Sequence, residues 1–283
     1  MKNILLNLSN QSDLDFIGQL AGDLLAAANV LHIPIFMAGA MARDLILFHG
    51  YGINTGRKTG DVDWAIMVKN WAQFDVLKAR LIASKKFAAS KHPHRLKYGT
   101  SLFVDLIPFG GIANAAGIIF WPPEHATQMT VLGFDEAYRN SVAVRLPANV
   151  DIQVTSLPSL ALLKLFAWNE RHLTSPRKDA HDFALIAQHY IDAGNRERLH
   201  SEFSFLLGDV DFDYESASAW MLGHDIAQTF SDLSIRRATE ILVSEVNTQG
   251  QLILASAMPL AAKEAILLLE NVKSGLMHFT QYR

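Results

Sequence analysis

The stretch Gly60-Asp61-Val62-Asp63-Trp64-Ala65-Ile66-Met67-Val68 constrains this chain more than any other. An apolar run of this length, opened by glycine, reads as a buried strand. Side chains alternate faces along a strand. Asp61 and Asp63 therefore share one face, while Val62, Trp64, Ile66 and Val68 point the other way, into a core. Two carboxylates so placed repel each other and resist burial unless a cation joins them. Magnesium suits hard oxygen ligands and usually takes one or two carboxylates together with substrate phosphates. The alternative is a strand that begins in a polar turn, with both aspartates in water.

Upstream, residues 12–31 have helical periodicity. Leu14, Ile17, Leu20, Leu24 and Leu25 recur at three- and four-residue spacing, with Ser12 as the expected N-cap and Asp13 and Asp15 in the first turn. After Pro34, Ile35-Phe36-Met37-Ala38 reads as a short buried strand. It turns through Gly39-Ala40 into a helix over residues 41–48. Small residues at such a turn let backbone amides approach a phosphate. They serve close strand–helix packing equally well. Residues 49–60 read as a glycine-rich loop carrying Arg57 and Lys58 directly before the aspartates, either touching phosphates or solvated.

A helix is expected over residues 71–84, with Phe74, Leu77, Leu81 and Ile82 inward. The basic segment Lys91-His92-Pro93-His94-Arg95-Leu96-Lys97-Tyr98 then leads into a third strand over residues 101–109. Asp105 lies inside that strand between Val104 and Leu106. A carboxylate there is expensive to bury unless it binds a metal or pairs with a cation. Arg95 or Lys97 across a hairpin would serve as the partner. His92 and His94 read as loop residues, since no third metal ligand of clear spacing accompanies them. Residues 110–123 read as a loop, 134–138 as a helical turn, and 141–146 and 150–154 as two strands about Pro147-Ala148-Asn149.

From Ser156 onward the pattern becomes helical. A boundary near residue 155 is expected, dividing the chain into domains 1–155 and 156–283. Half of the residues are hydrophobic (50%) and 19% are charged, which suits packed cores and excludes disorder. The net charge of −3 gives no global basic field for nucleic acid, although Lys85, Lys86, Lys91, Arg95 and Lys97 form a local basic rim. The absence of cysteine excludes a disulfide framework and a thiolate zinc site. No apolar run reaches the length of a membrane span, and the N-terminus lacks signal-peptide architecture. The expectation is a soluble cytoplasmic protein with no membrane partner.

The order of these features carries a family resemblance. A small-residue turn after a strand, an Asp-x-Asp pair and a later strand aspartate together resemble the nucleotidyltransferase superfamily related to DNA polymerase β. A second feature narrows the branch. Leu162-Leu163-Lys164-Leu165-Phe166-Ala167-Trp168-Asn169-Glu170-Arg171 presents Lys164 and Arg171 two turns apart on a helix. It precedes Arg177-Lys178-Asp179-Ala180-His181-Asp182-Phe183, with Asp179 and Asp182 near a helix start. This pair of segments is similar to the AbiEii-like branch, which includes toxins of abortive-infection and toxin–antitoxin systems. The likeness spans roughly residues 30–190; the remainder of the C-terminal region matches no pattern. Where the family usually has Gly-Gly-Thr or Gly-Ser, this chain has Ala38-Gly39-Ala40-Met41, and the interval to Asp61 is longer. The Ala38 methyl bears on how closely a phosphate approaches.

The resemblance implies an α+β fold, with a mixed-sheet nucleotidyltransferase domain followed by a C-terminal helical domain. It implies transfer of a nucleoside monophosphate from an NTP such as ATP, with release of pyrophosphate. Asp61 and Asp63 would bind two divalent ions, Mg2+ or Mn2+. Asp105 would bind the catalytic ion and help activate the acceptor hydroxyl. Gly39, Ala40 and Arg57 would hold the triphosphate, and Lys164, with Asp179 as its partner, would neutralise it. The acceptor is open between tRNA, a protein side chain and a small molecule such as an aminoglycoside. An antitoxin is an implied partner. The alternative is a catalytically inactive nucleotide- or partner-binding module on the same fold.

Overall fold

The computed structural model describes residues 4–56, 60–100, 102–208, 212–247 and 249–280. Arg57, Lys58 and Ser101 lie outside the described residues. Backbone contacts divide the chain into two compact units: residues 1–50 with 55–156, and residues 157–283 with Tyr51–Asn54.

The first unit holds the strands. These are β1 (Ile4–Asn7), β2 (Ile35–Ala38), β3 (Asp61–Val68), β4 (Phe87–Ala89), β5 (Arg95–Tyr98), β6 (Leu102–Gly110), β7 (Ile118–Trp121), β8 (Thr127–Thr130), β9 (Val142–Leu146) and β10 (Val150–Val154). Its helices are α1 (Asp15–Val30), α2 (Gly39–Asp44), α3 (Trp71–Ala83) and α4 (Phe134–Arg139). The main sheet runs β1-β9-β10-β2-β3-β6-β5-β4, and β7 and β8 form a separate hairpin. The sheet is mixed: β3 pairs parallel to β6 but antiparallel to β2, and β5 pairs antiparallel to β6. This is the mixed α/β architecture expected from the sequence.

The alternation in β3 has the expected sense. Val62, Trp64, Ile66 and Val68 are buried, while Asp61 and Asp63 are partly exposed. Leu20 and Leu24 of α1, Leu77 of α3, and Phe36 and Phe109 of the sheet are among the core residues, wholly removed from water. Each such side chain contributes roughly 1.5–3 kcal/mol by burial. The Asn70 side chain caps α3 by accepting from the Gln73 amide at 3.0 Å, satisfying a donor that the helix start leaves open.

Several local expectations differ in the structure. Ser12 does not cap α1; residues Ser12–Leu14 form a 3-10 turn, and Leu14 stands at the cap position without a side-chain bond. The helix after β2 begins at Gly39 and widens into a π-helical turn over Leu45–Gly50, so less of residues 49–60 is loop. The stretch read as a loop at 110–123 contains β7. β1 and β4, strands of four and three residues at the sheet edges, had no pattern long enough to show period-two alternation.

The second unit is helical: α5 (Leu157–Arg171), α6 (Pro176–His189), α7 (Arg196–His200), α8 (Tyr214–Thr229), α9 (Asp232–Val246), α10 (Ile253–Ala257) and α11 (Ala262–Thr280). Its tightest crossing is between α8 and α11, where glycines face each other's backbone. A Cβ on Gly223 would lie 2.0 Å from the Val272 carbonyl oxygen, and one on Gly275 would lie 1.9 Å from that of Trp220. Among the described residues, no helix is long and apolar enough to cross a membrane.

Candidate active site

The strand register aligns the acidic residues. Ala38 of β2 pairs with Asp63 of β3, Asp63 with Asp105 of β6, and Asp105 with Arg95 of β5, forming one row across four strands. Cross-strand partners share a face, so these side chains stand side by side. The row nearer the strand ends holds Asp61, Phe103 and Lys97. Asp61, Asp63 and Asp105 are thus brought together on one face, as their alternation required.

Gly39 completes this face from the next turn. It sits at φ +68, and a Cβ placed on it would lie 1.8 Å from Asp63 Oδ2 and 2.7 Å from Asp63 Cγ. The Asp63 carboxylate occupies the space where any other residue would put its side chain. Glycine is required there twice over, by backbone conformation and by contact. Ala38, where the family pattern has glycine, is buried at the end of β2 with extended backbone, which alanine adopts freely. Ala40 is buried in the first turn of α2.

Arg95 dominates the electrostatics. Its Nε donates to Asp105 Oδ1 at 2.6 Å and its Nη2 to Asp105 Oδ2 at 2.6 Å, a bidentate clamp. Nη2 also reaches Asp61 Oδ2 at 3.2 Å. The guanidinium lies 5.1 Å from the centre of the Phe103 ring. Hydrogen bonding to Asp105 holds the Arg95 guanidinium well above its ordinary pKa, so it stays charged. Of the two fates open to Asp105 in the sequence, pairing with Arg95 is the one the structure displays. Among the described residues, no three His, Cys, Asp or Glu side chains are gathered into a group that holds a metal ion. Chemically the donors still fit a hard divalent cation: three carboxylates on one sheet face, with Arg95 already showing that a positive charge is held between two of them.

The second unit has a cluster of its own. Lys164 of α5 donates to Asp179 Oδ1 at 3.2 Å and lies 2.5 Å from Asp182 Oδ2. Arg171, two turns along α5, donates to both oxygens of Asp179 at 2.7 and 2.8 Å. Lys164 is 7% exposed at its side chain and Asp179 0%. Burial pushes the Asp179 carboxyl up, but the Arg171 hydrogen bonds and the Lys164 and Arg171 charges outweigh it and hold it below the usual carboxylate range. These residues tie α5 to α6 from inside, not as surface salt bridges. A second buried group, which the sequence did not signal, joins Asp225 of α8 to Arg198 of α7 at 2.6 and 2.9 Å and to the Tyr190 hydroxyl. Burial raises the Asp225 carboxyl, but Arg198, His224 and Tyr190 bring it down to about 2.

Among solved structures, similarity is found to an antigenic nucleotidyltransferase-like protein from Paracoccidioides brasiliensis, at 17% identity and a TM-score of 0.41, covering 71% of this chain and 93% of that one. The antibiotic-resistance factor ANT(2'')-Ia is similar at 14% identity and a TM-score of 0.36, covering 68% and 96%. A STING-associated CdnE c-di-GMP synthase from Capnocytophaga granulosa follows at 12% identity and a TM-score of 0.29, covering 94% and 81%. None of the curated proteins matches the sequence. The family model described as nucleotidyl transferase AbiEii toxin, type IV TA system, matches residues 23–205, more than half of the chain and the whole of the carboxylate face. The chain therefore belongs to the AbiEii nucleotidyltransferase family.

Proposed function

We propose that this nucleotidyltransferase moves a nucleoside monophosphate from an NTP to an acceptor hydroxyl in a reaction that needs Mg2+ or Mn2+, and that it does so as the toxin of a toxin–antitoxin pair. The observation that carries the reading is the row Asp63–Asp105 on adjacent strands, with Asp61 on the same face and the Gly39 turn pressed against Asp63. Asp61, Asp63 and Asp105 would hold the divalent cation, whose chemistry is to neutralise phosphate charge and favour in-line displacement. The acceptor oxygen bonds to the α-phosphorus, the bond to the β-phosphate bridging oxygen breaks, and pyrophosphate leaves. Asp105 takes up the hydroxyl proton. The amides of Gly39 and Ala40, with Arg57, bind triphosphate oxygens. For the carboxylates to serve, Arg95 releases Asp105, which leaves its guanidinium free to meet phosphate.

The same reading assigns residues 1–155 and 156–283 as the two functional domains. It gives Lys164 and Asp179 a part in nucleotide binding, on the strength of the family pattern. An antitoxin would be the protein partner.

A second reading, a binding module without catalysis, is favoured by one observation: Arg95 already satisfies Asp105 fully. Incubation with α-labelled NTP, magnesium and total cell RNA and protein decides between them. Label appearing in one macromolecular fraction supports transfer and names the acceptor. NTP binding without label transfer or pyrophosphate release supports the module.

A further inference from the structure

Arg95 sits where a bridging cation would sit. It engages both oxygens of Asp105 and Oδ2 of Asp61. A divalent ion joining Asp61 to Asp105 needs those same oxygens. Two cations cannot share them, because like charges repel most where water is partly excluded. Arginine pairing and metal binding at Asp105 therefore exclude each other.

Two features mark the pairing as exchangeable. Water reaches Arg95, unlike the ammonium of Lys164 in the buried cluster. The guanidinium is also only partly committed. Nε and Nη2 make all its hydrogen bonds, and among the described residues Nη1 has no hydrogen-bond partner. Phe103 supplies a place to pivot. Its ring is 38% exposed and lies 5.1 Å from the guanidinium, beside Asp61 in the strand register. The cation can stay over that ring when it leaves Asp105.

We propose that Arg95 has two seats: it is the counter-cation of Asp105 and Asp61 while no metal is bound, and it passes to the triphosphate when a divalent ion takes those carboxylates. The inference deepens the transfer reading above and rests on it. A metal ion arriving alone must displace the guanidinium and leave it, partly out of water, with no anion to meet. A metal ion arriving with a triphosphate gives it one. Phosphate oxygens match the guanidinium fork as a carboxylate does. Nη1 is placed to make the first such bond before Nε and Nη2 let go. Metal and nucleotide therefore bind with positive coupling, and by linkage each raises the other's affinity by the same factor. Without NTP, the carboxylates are held back from collecting a metal ion.

Lys97 provides the control. It stands opposite Phe103, two residues along β5 from Arg95, or roughly 7 Å at the usual strand rise. Among the described residues it has no hydrogen bond or ion pair from its side chain. It brings the same charge to the same face without touching a carboxylate.

The test is Mn2+ binding to the full chain without nucleotide, followed by the paramagnetic resonance signal of free Mn2+. Arg95→Gln should bind Mn2+ about tenfold more tightly than the wild type, the low end of what its charge-assisted hydrogen bonds are worth. Arg95→Lys keeps the charge but loses the fork, and should fall between the two. Lys97→Gln should shift the affinity about twofold at most, a screened charge effect. With Mn2+ saturating, the non-hydrolysable α,β-methylene-ATP should bind Arg95→Gln about tenfold more weakly. Opposite signs for metal and nucleotide are what the two seats require, since a merely structural arginine would weaken both. Thermal melts in EDTA verify folding, and Arg95→Lys carries the test where Arg95→Gln does not fold. Mn2+ affinity that is unchanged or weaker in the Arg95 variants overturns the proposal, as does equal tightening by Lys97→Gln. Asp63→Asn separates this failure from that of the transfer reading. If Asp63→Asn binds Mn2+ as the wild type does, the ion sits elsewhere, and both fall. If Asp63→Asn weakens Mn2+ binding while the Arg95 variants change nothing, only the two seats of Arg95 fall.

Discussion

The molecule has two carboxylate clusters, and they differ in kind. In the first unit, Asp61, Asp63 and Asp105 stand on a sheet face, and a single arginine bridges two of them. Arg95 keeps 26% of its side chain in contact with water and Asp61 24%. In the second unit, Asp179 and Asp182 are buried between two helices against Lys164 and Arg171. A buried charge pair is held in place because removing one partner strands the other without water. A partly exposed cluster beside a glycine turn can exchange one cation for another at much smaller loss. The first arrangement suits chemistry, and the second suits holding α5 to α6.

This contrast predicts opposite outcomes for similar substitutions. Asp63→Asn or Asp61→Asn should lower transfer by on the order of a thousandfold, since several kcal/mol of charge stabilisation is lost, while the melting temperature holds or rises as repulsion is relieved. Steady-state turnover and a thermal melt on the same sample check both halves. Lys164→Ala should do the reverse first, destabilising the second unit by about 3–5 kcal/mol, because it leaves Asp179 and Asp182 short of a buried partner. A Lys164→Ala protein that keeps its melting temperature but loses NTP affinity would move Lys164 out of the structural class and into the nucleotide site.

Two smaller effects sharpen the same line. Gly39→Ala should cost about 1–3 kcal/mol through the left-handed backbone alone, and it should also displace the Asp63 carboxylate, so turnover should fall further than stability does. Kinetics at a temperature well below the melt separate the two. Acid should act on the second unit. Asp225 has its carboxyl depressed to about 2, so its contribution is present above the ordinary carboxylate value near 3.9 and is lost as pH falls towards 2. That contribution is about 2 kcal/mol, and Arg198→Gln should shrink it. Urea melts at pH 5 and pH 2.5 measure it.

How much of this was legible in the sequence follows from the length and regularity of each signal. Eight residues of β3 alternate cleanly enough to place Asp61 and Asp63 on one face, and the strand–glycine–helix turn at Gly39 was visible from residue types alone. The shift to helices after Ser156 was equally plain. Arg95 was legible only as one of two candidate partners, because choosing it over Lys97 depends on the β5–β6 register, which sets Arg95 opposite Asp105 and Lys97 opposite Phe103. The burial of Lys164 was hidden because a lysine flanked by leucines reads alike whether its amine meets water or carboxylates, and only the packing of α6 on α5 sets Asp179 and Asp182 against it. The contact of Phe16 with Tyr98, and through it with Phe87, was hidden too, since it joins residues some eighty positions apart that meet only when α1 packs on the edge of the sheet.

The central claim is that the three carboxylates form a working, metal-dependent transfer site despite the Arg95 clamp. Pyrophosphate release from NTP, measured for the wild type and for Asp63→Asn with magnesium and with EDTA, tests it most directly. The account predicts release from the wild type in magnesium alone, with both EDTA and Asp63→Asn reducing it to background. Equal release in EDTA, or from Asp63→Asn at the wild-type rate, would contradict it.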